Sequence, residues 1–419
     1  MPTAPTAPTV PTVPTVPTAP TVPTVPTAPR PLEGVRVLDL SRVFAGPVAG
    51  RVLSDLGAEV VKVEPPEGDI TRIWGRKTAG LSTYFTQQNC GKRNVCVDLR
   101  KPGGPELVAD LAAVSDIVIE NFRPGVLTRY GLDWPALSAR NPRLVMMSIS
   151  GFGQDGPESQ RAAYASVIHA ETGLIEQHEG VHPLDLSFSA ADVLSGMHGV
   201  IGVMAALRVR DQTGIGQYID IAMMDAMAFS SDMIIFSIDD SEAERINGEV
   251  WDTACGPVNL AGGLRWVWRQ LSGVHGLADP SPKDADLTTK MTARRACATA
   301  FLCGLPDRAA VLKALDDAGL AWGELRERRA VMESPTLTAR KTVVRVDDRA
   351  GGDREVVRSP YRMSASDTSA IGVAAHRGEH NAEVLIQWLG RSTEEVDALL
   401  NDGVLLQDEW VATAAEGAR

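Results

Sequence analysis

A chain of 419 residues, 44% hydrophobic and 22% charged, has an ordinary globular composition and enough length for two domains with large cores. Its net charge of −12 excludes a nucleic-acid footprint, while leaving room for a locally basic anion site. The five cysteines (Cys90, Cys96, Cys255, Cys297, Cys303) are scattered without metal-ligand spacing and read as reduced thiols of a cytoplasmic protein.

The N-terminal 30 residues are a Pro-Thr-Ala/Val triplet repeat. Proline at every third position excludes helix and sheet and favours extended polyproline II, so this stretch reads as a disordered or semi-rigid tail. It lacks the basic n-region and apolar h-region of a signal peptide, and no run of about 18 apolar residues predicts a membrane span. Next, Val35, Val37, Leu38 and Leu40 predict a strand that ends in the turn Ala45-Gly46-Pro47. Val48, Val52, Leu53 and Leu56 follow at helical spacing, with Gly57 where a C-cap belongs. Val60-Val61-Lys62-Val63 closes a βαβ unit. The turns at 41–47 and 64–69 therefore sit beyond strand carboxyl ends, where open α/β sheets bind ligands.

Further strands are predicted at Val95–Leu99, Ile117–Ile119 and Leu144–Ile149, with a helix over Gly104–Val114 between the first two. A long apolar helix over Ala191–Val209, a strand at Gln217–Ala222 and a helix at Met224–Phe236 continue the alternation. This is the pattern of an α/β, doubly wound, Rossmann-like large domain over 31–235. Between 240 and 335 strand signals thin out and helices at Thr292–Cys303 and Arg308–Ala318 predict a smaller α+β domain. Residues 340–419 return to the large domain, with helices at Asn381–Leu389 and Thr393–Leu400.

The stretch Val37-Leu38-Asp39-Leu40-Ser41-Arg42-Val43-Phe44-Ala45-Gly46-Pro47, running on to Gly68-Asp69, also resembles the opening of the class III CoA-transferases. Further matching stations are Asn89–Arg93, Glu120–Gly125, Ser150–Gly153 with Gly156-Pro157, Ala191-Asp192, Arg210–Gln217 and Arg377–His380. That family includes formyl-CoA:oxalate and carnitine CoA-transferases and α-methylacyl-CoA racemase. The resemblance implies an interlocked homodimer acting on an acyl-CoA and a small carboxylic acid, with coenzyme A as substrate rather than as a tightly bound cofactor; the cysteine spacing, the net charge and the lack of a long apolar run add the expectation of no metal, nucleic-acid or membrane partner.

CoA transfer between acids needs a carboxylate nucleophile, already ionised at neutral pH, and N–H donors for the oxyanions. The resemblance implies a nucleophilic aspartate in the loop about a dozen residues before Ala191-Asp192. That loop reads His178-Glu179-Gly180-Val181-His182, so Glu179 is its candidate, with His178 or His182 beside it. Asp192 is both a helix-start carboxylate and an active-site landmark of the family. The racemase branch instead pairs an aspartate, matching Asp192, with a histidine whose position holds Tyr164 here; His169, farther along, is a candidate relocated base. Two alternatives to transfer stay open: racemisation of an α-substituted acyl-CoA, and acyl-CoA binding without catalysis, because the usual aspartate is missing.

For coenzyme A, the resemblance points to Phe44, Lys92, Asn121 and Arg129. Pro65-Pro66 and Ser150 stand where the formyl-CoA enzyme has an arginine and a lysine, and Arg72, Arg76 or Arg93 are candidates to compensate. Gly262-Gly263 is a candidate for the glycine loop over the active site. Gly214-Ile215-Gly216 precedes a strand and reads as a turn.

Overall fold

The computed structural model describes residues 28–175, 188–236, 238, 248–368 and 372–411. The chain begins with β1 (Arg36–Asp39), α1 (Ala45–Asp55) and β2 (Glu59–Glu64), then a 3-10 turn (Ile70–Ile73) and the short hairpin β3 (Lys77–Thr78) and β4 (Leu81–Ser82). It continues through α2 (Thr83–Asn89), β5 (Arg93–Cys96), α3 (Gly104–Ala113), β6 (Ile117–Glu120), a 3-10 turn (Leu127–Tyr130), α4 (Trp134–Arg140) and β7 (Val145–Ser150). Then come α5 (Ala165–Glu171), α6 (Ala190–Thr213), β8 (Gln217–Ala222), α7 (Met223–Ser230) and α8 (Asp232–Phe236). The second group is β9 (Glu249–Trp251), β10 (Val258–Leu260), α9 (Leu264–His275), α10 (Leu287–Cys303), α11 (Arg308–Asp317) and β11 (Trp322–Glu324). The chain closes with α12 (Arg328–Met332), α13 (Pro335–Ala339), β12 (Val343–Asp347), β13 (Asp353–Val357), α14 (Asn381–Leu389) and α15 (Thr393–Asn401).

Six parallel strands form the central sheet in the order β5-β2-β1-β6-β7-β8. Successive residues alternate between two buried faces. Val37, Val60, Ile117 and Met147 pack with α1 and α6, while Leu38, Val61, Val118 and Met146 pack with α3 and α14. This explains why the strands carry near-continuous apolar runs rather than alternation with polar residues. A third core joins the antiparallel sheet β11-β10-β9 to α9, α10 and α11 through Trp251, Leu260, Leu271, Leu302 and Leu315. The return after residue 340 is physical: β12–β13 packs on α2 through two Gln87–Val357 hydrogen bonds, and α14 packs on β5 and α3.

Helix α6 is long and apolar enough, by length and composition, to cross a bilayer, a feature the search for an unbroken apolar run missed. Here half of its most apolar stretch is buried, and the helix packs against α1, α5, α7, β7 and β8. Its contact with α1 is close because Gly196 lacks a side chain. A Cβ there would lie 2.6 Å from the Ala45 carbonyl oxygen and 2.8 Å from Val48. The N-terminal ends of α1 and α6 are thereby held together.

Candidate active site

The chain leaves β1 on one side to form β2 and returns on the other side to form β6. The carboxyl ends of β1 and β6 therefore flank a topological switch point, where a crevice opens in such sheets. Two hydrogen bonds lock it. The Arg42 N–H donates to Asn121 Oδ1, and Asn121 Nδ2 donates to the Arg42 carbonyl, both at 2.8 Å. Asn121 thus shapes the crevice floor with its side chain already engaged. A cavity of about 550 Å³ opens above, lined by Arg42, Asn121, Ser150, Tyr164 and Asp192 among others. Arg42 Nε and Ser150 Oγ are buried there and make no hydrogen bond among the described residues.

The turn after β1 rests on buried charges. Lys92 Nζ donates to Asp39 Oδ2 (2.8 Å), the Pro47 carbonyl (2.8 Å) and Asn89 Oδ1 (3.0 Å). Lys62 Nζ donates to the Ser41 carbonyl at 2.6 Å and lies 3.3 Å from Asp69. Asp69 in turn accepts the N–H of Val43 at 3.1 Å. Val43 has φ +68°, a left-handed conformation that is strained for a β-branched residue and must be over-determined by its surroundings. Burial pushes the Lys92 ammonium down to about 8, against the raising effect of Asp39. With all three protons spent inside, Lys92 does not reach a phosphate in the cleft, contrary to the sequence expectation.

Asp192 lies in the first turn of α6, after the N-cap Ser189. Burial pushes its carboxyl up to about 6, against the lowering effect of the Ala45 backbone N–H. Burial, and secondarily the charge of Asp192, pushes the Tyr84 phenol up to about 12. Phe44, the residue before Ala45, meets Tyr84 edge-on with ring centroids 5.8 Å apart. His169 is buried, and its Nε2 accepts the Ala191 N–H at 3.2 Å. Burial lowers its pKa and this bond fixes it as a neutral acceptor, so it supports the start of α6 and does not present a base to the cavity. Glu179, His178 and His182 lie outside the described residues.

A second cavity of about 220 Å³ adjoins the first, sharing Arg42, Phe122 and Val126. Its walls are mainly apolar, including Pro65, Pro66, Leu99 and Tyr130. At its mouth Arg100 pairs with Glu67 (2.9 Å) and Asp98 (2.7 Å). Arg129 is exposed on the turn next to Tyr130. Arg93 is not part of this assembly. It starts β5, at the opposite strand end from the cleft, and binds Glu59, Glu383 and Gln387. Arg72 is likewise committed, to both oxygens of Glu64. The Gly262-Gly263 turn leads into α9 and contributes no wall to either cavity. Arg42, Tyr84 and Tyr130 were absent from the candidates drawn from sequence; the one available signal was the position of Arg42 in the turn after β1.

The family model for CoA-transferase family III matches residues 32–381, and the chain belongs to that family. It is accordingly a CoA-transferase, acting between an acyl-CoA thioester and a carboxylic acid. The chain is 32% identical to a formyl-CoA:oxalate CoA-transferase of Streptomyces avermitilis, over 90% of this chain and all of that one. It is equally 32% identical to a succinate–glutarate CoA-transferase of Agrobacterium fabrum, over 85% and 95% of the two chains. Among solved structures, a CAIB/BAIF family protein from Brucella suis superposes with a TM-score of 0.73 at 32% identity, covering 86% of this chain and 100% of that one.

Proposed function

We propose that Asp192 is the nucleophile through which CoA passes. The observation that carries this reading is the buried carboxylate of Asp192 at the wall of the 550 Å³ cavity, which Ala45 also lines. An Asp192 oxygen attacks the thioester carbon, and the tetrahedral oxyanion collapses with cleavage of the C–S bond. This gives an aspartyl–acyl anhydride and free CoA thiolate. The thiolate attacks the aspartyl carbonyl, expels the first acid as its carboxylate, and leaves an aspartyl–CoA thioester. The acceptor carboxylate attacks that thioester, and thiolate attack on the acceptor's acyl carbon then releases the new acyl-CoA and the Asp192 carboxylate. The partly desolvated carboxylate is a better nucleophile than a hydrated one, and the amino-terminal ends of α1 and α6 oppose the negative charge with their dipoles.

The smaller cavity has the size and apolar walls for the adenine ring, between Pro65-Pro66 and the aromatic rings of Phe122 and Tyr130. Arg42, at the junction of the two cavities, is placed for the diphosphate, with Arg129 and Arg100 outside for the 3′-phosphate. Exposed apolar side chains on α6 and α7, Ile201 at 64% and Phe229 at 80%, support assembly as a homodimer. The five free thiols support a reducing, cytoplasmic setting. Neither alternative reaction is favoured: His169 is turned away from the cavity as a base, and Asp192 supplies the carboxylate that a non-catalytic binder would lack.

The test is intact-mass analysis with peptide mapping after incubation with acyl-CoAs, on wild type, Asp192→Asn and Glu179→Gln. A CoA or acyl adduct on Asp192, lost in Asp192→Asn and kept in Glu179→Gln, is the expected result. An adduct on Glu179 overturns the assignment.

A further inference from the structure

We infer that Ser150 is a substrate-binding residue, whose hydroxyl donates to a carbonyl oxygen of the arm that joins the nucleotide of an acyl-CoA to its reacting carbon. This rests on the reading that seats adenine in the smaller cavity and makes Asp192 the nucleophile. Ser150 is the last residue of β7, is 7% exposed and lines the cavity that holds Asp192. Its Oγ is buried and makes no hydrogen bond among the described residues. A buried hydroxyl left without a partner destabilises the protein that carries it, so its retention at a cavity wall points to an atom of the ligand.

The two cavities show which part of the ligand passes there. The smaller is lined by Val97, Val108 and Leu127, from the core on the α3 side of the sheet. The larger is lined by Ala45, Ile149 and Met223, from the core on the α1 and α6 side. A molecule seated in the first and reacting in the second must cross the carboxyl ends of the strands between them. In sheet order that crest carries Arg42 after β1, Asn121 after β6 and Ser150 at the end of β7. The Asn121 side chain is engaged with the Arg42 backbone, and the Arg42 guanidinium sits at the junction assigned to the diphosphate. Ser150 stands one strand farther on, among uncharged neighbours. It faces Ala222 across the β7–β8 pairing, and at the next residue a Cβ on Gly151 would meet Ala163 at 2.2 Å. The other two arginines of the larger cavity come from separate loops: Arg123 follows β6, and Arg161 pairs with Glu158 and Glu171. A neutral hydroxyl at this point matches a neutral acceptor, and the arm offers the two amide carbonyls of pantetheine and then the thioester carbonyl.

The experiment measures calorimetric affinities of wild type and Ser150→Ala for CoA and for 3′-phospho-ADP, the nucleotide end without the arm. Acetyl-CoA and S-ethyl-CoA, which lacks the carbonyl, are compared in an Asp192→Asn background. Ser150→Ala should weaken CoA roughly three- to tenfold and leave 3′-phospho-ADP alone. The urea midpoint of the ligand-free variant should stay or rise, because an orphaned hydroxyl has been removed. That result assigns a pantetheine amide carbonyl; a loss confined to acetyl-CoA assigns the thioester carbonyl. No loss with any ligand, an equal loss with 3′-phospho-ADP, or a lowered urea midpoint overturns the inference. Failure of the underlying reading looks different: Tyr130→Ala would keep the wild-type affinity for 3′-phospho-ADP, or Asp192→Asn would keep its turnover, whatever Ser150→Ala does.

Discussion

Asp192, in the first turn of α6, and Ala45, the first residue of α1, line the same cavity, and the Ala45 N–H favours the charged form of the carboxylate. They are brought together because the two helices touch at Gly196, one turn beyond Asp192. In Gly196→Ala, the new Cβ would stand 2.6 Å from a backbone oxygen, so α1 must retreat. Overpacking of this kind costs about 1–3 kcal/mol, partly offset by the roughly 1 kcal/mol that alanine contributes to helix propensity. The larger effect should be on kcat, down about 100-fold, because sub-ångström placement of the reacting carboxylate is lost. A folded Gly196→Ala enzyme with wild-type kcat would show that the Ala45 contact does not position Asp192.

The ionisation of Asp192 sets a pH limb. Its carboxyl is held near 6, and only the anion attacks a thioester. The pH profile of kcat/KM should rise with pH, bend near 6 and stay flat to about 8, falling roughly tenfold per unit on the acid side. A limb near 4 would mean that the reacting carboxylate is a solvated one rather than Asp192.

Much of the fold was legible because the strands are buried on both faces and therefore read as apolar runs. The first βαβ unit was recovered from them, and Gly57 indeed takes φ +107° just past α1. Boundaries failed where tertiary bonds intervene. The strand expected at Val95–Leu99 is β5 at Arg93–Cys96, because Asp98 caps a turn through Arg100 and Lys101. The helix expected over Met224–Phe236 breaks at Ser231, whose ψ of +111° is extended. Lys92 was misplaced for a deeper reason. Its partner Asp39 is 53 residues away in sequence, so nothing local reveals that the ammonium points inward. Asp192 was visible as a landmark, but its contact with α1 depends on a glycine that sequence alone does not single out.

The inward placement of Lys92 has a direct test. Lys92→Met removes one partner of a buried pair and should cost about 3–5 kcal/mol in urea unfolding. The folded enzyme at low temperature should keep its KM for acyl-CoA. A raised KM with unchanged stability would return Lys92 to the phosphate site.

Glu120 ends β6 and accepts the Phe122 N–H at 2.8 Å; burial pushes its carboxyl up to about 7. The folded protein therefore holds a proton that the unfolded chain releases between about 4.5 and 7. Stability from this group is present below that window and is lost as pH rises through it, by an amount on the order of 3 kcal/mol. Glu120→Gln should remove the slope and leave the variant more stable than wild type at pH 8, as read from urea midpoints at pH 5 and pH 8. A wild type whose midpoint does not fall across that interval, or a Glu120→Gln protein with the same slope, would place the titration elsewhere.

Tyr130 lines the 220 Å³ cavity assigned to adenine, whereas Asp192 lines the larger one. Tyr130→Ala should raise KM for acyl-CoA about tenfold, the value of roughly 1–2 kcal/mol for a lost stacking partner, with kcat nearly unchanged. The more decisive readout uses acyl-pantetheine, which carries the same thioester without the nucleotide. Wild type should discriminate strongly against it, and Tyr130→Ala should narrow that discrimination by the same factor by which its KM for acyl-CoA rose. If Tyr130→Ala instead lowers kcat equally with both thioesters, the small cavity is part of the acyl site, and the nucleotide must be sought along Arg123, which lines the larger cavity, and the exposed Arg129.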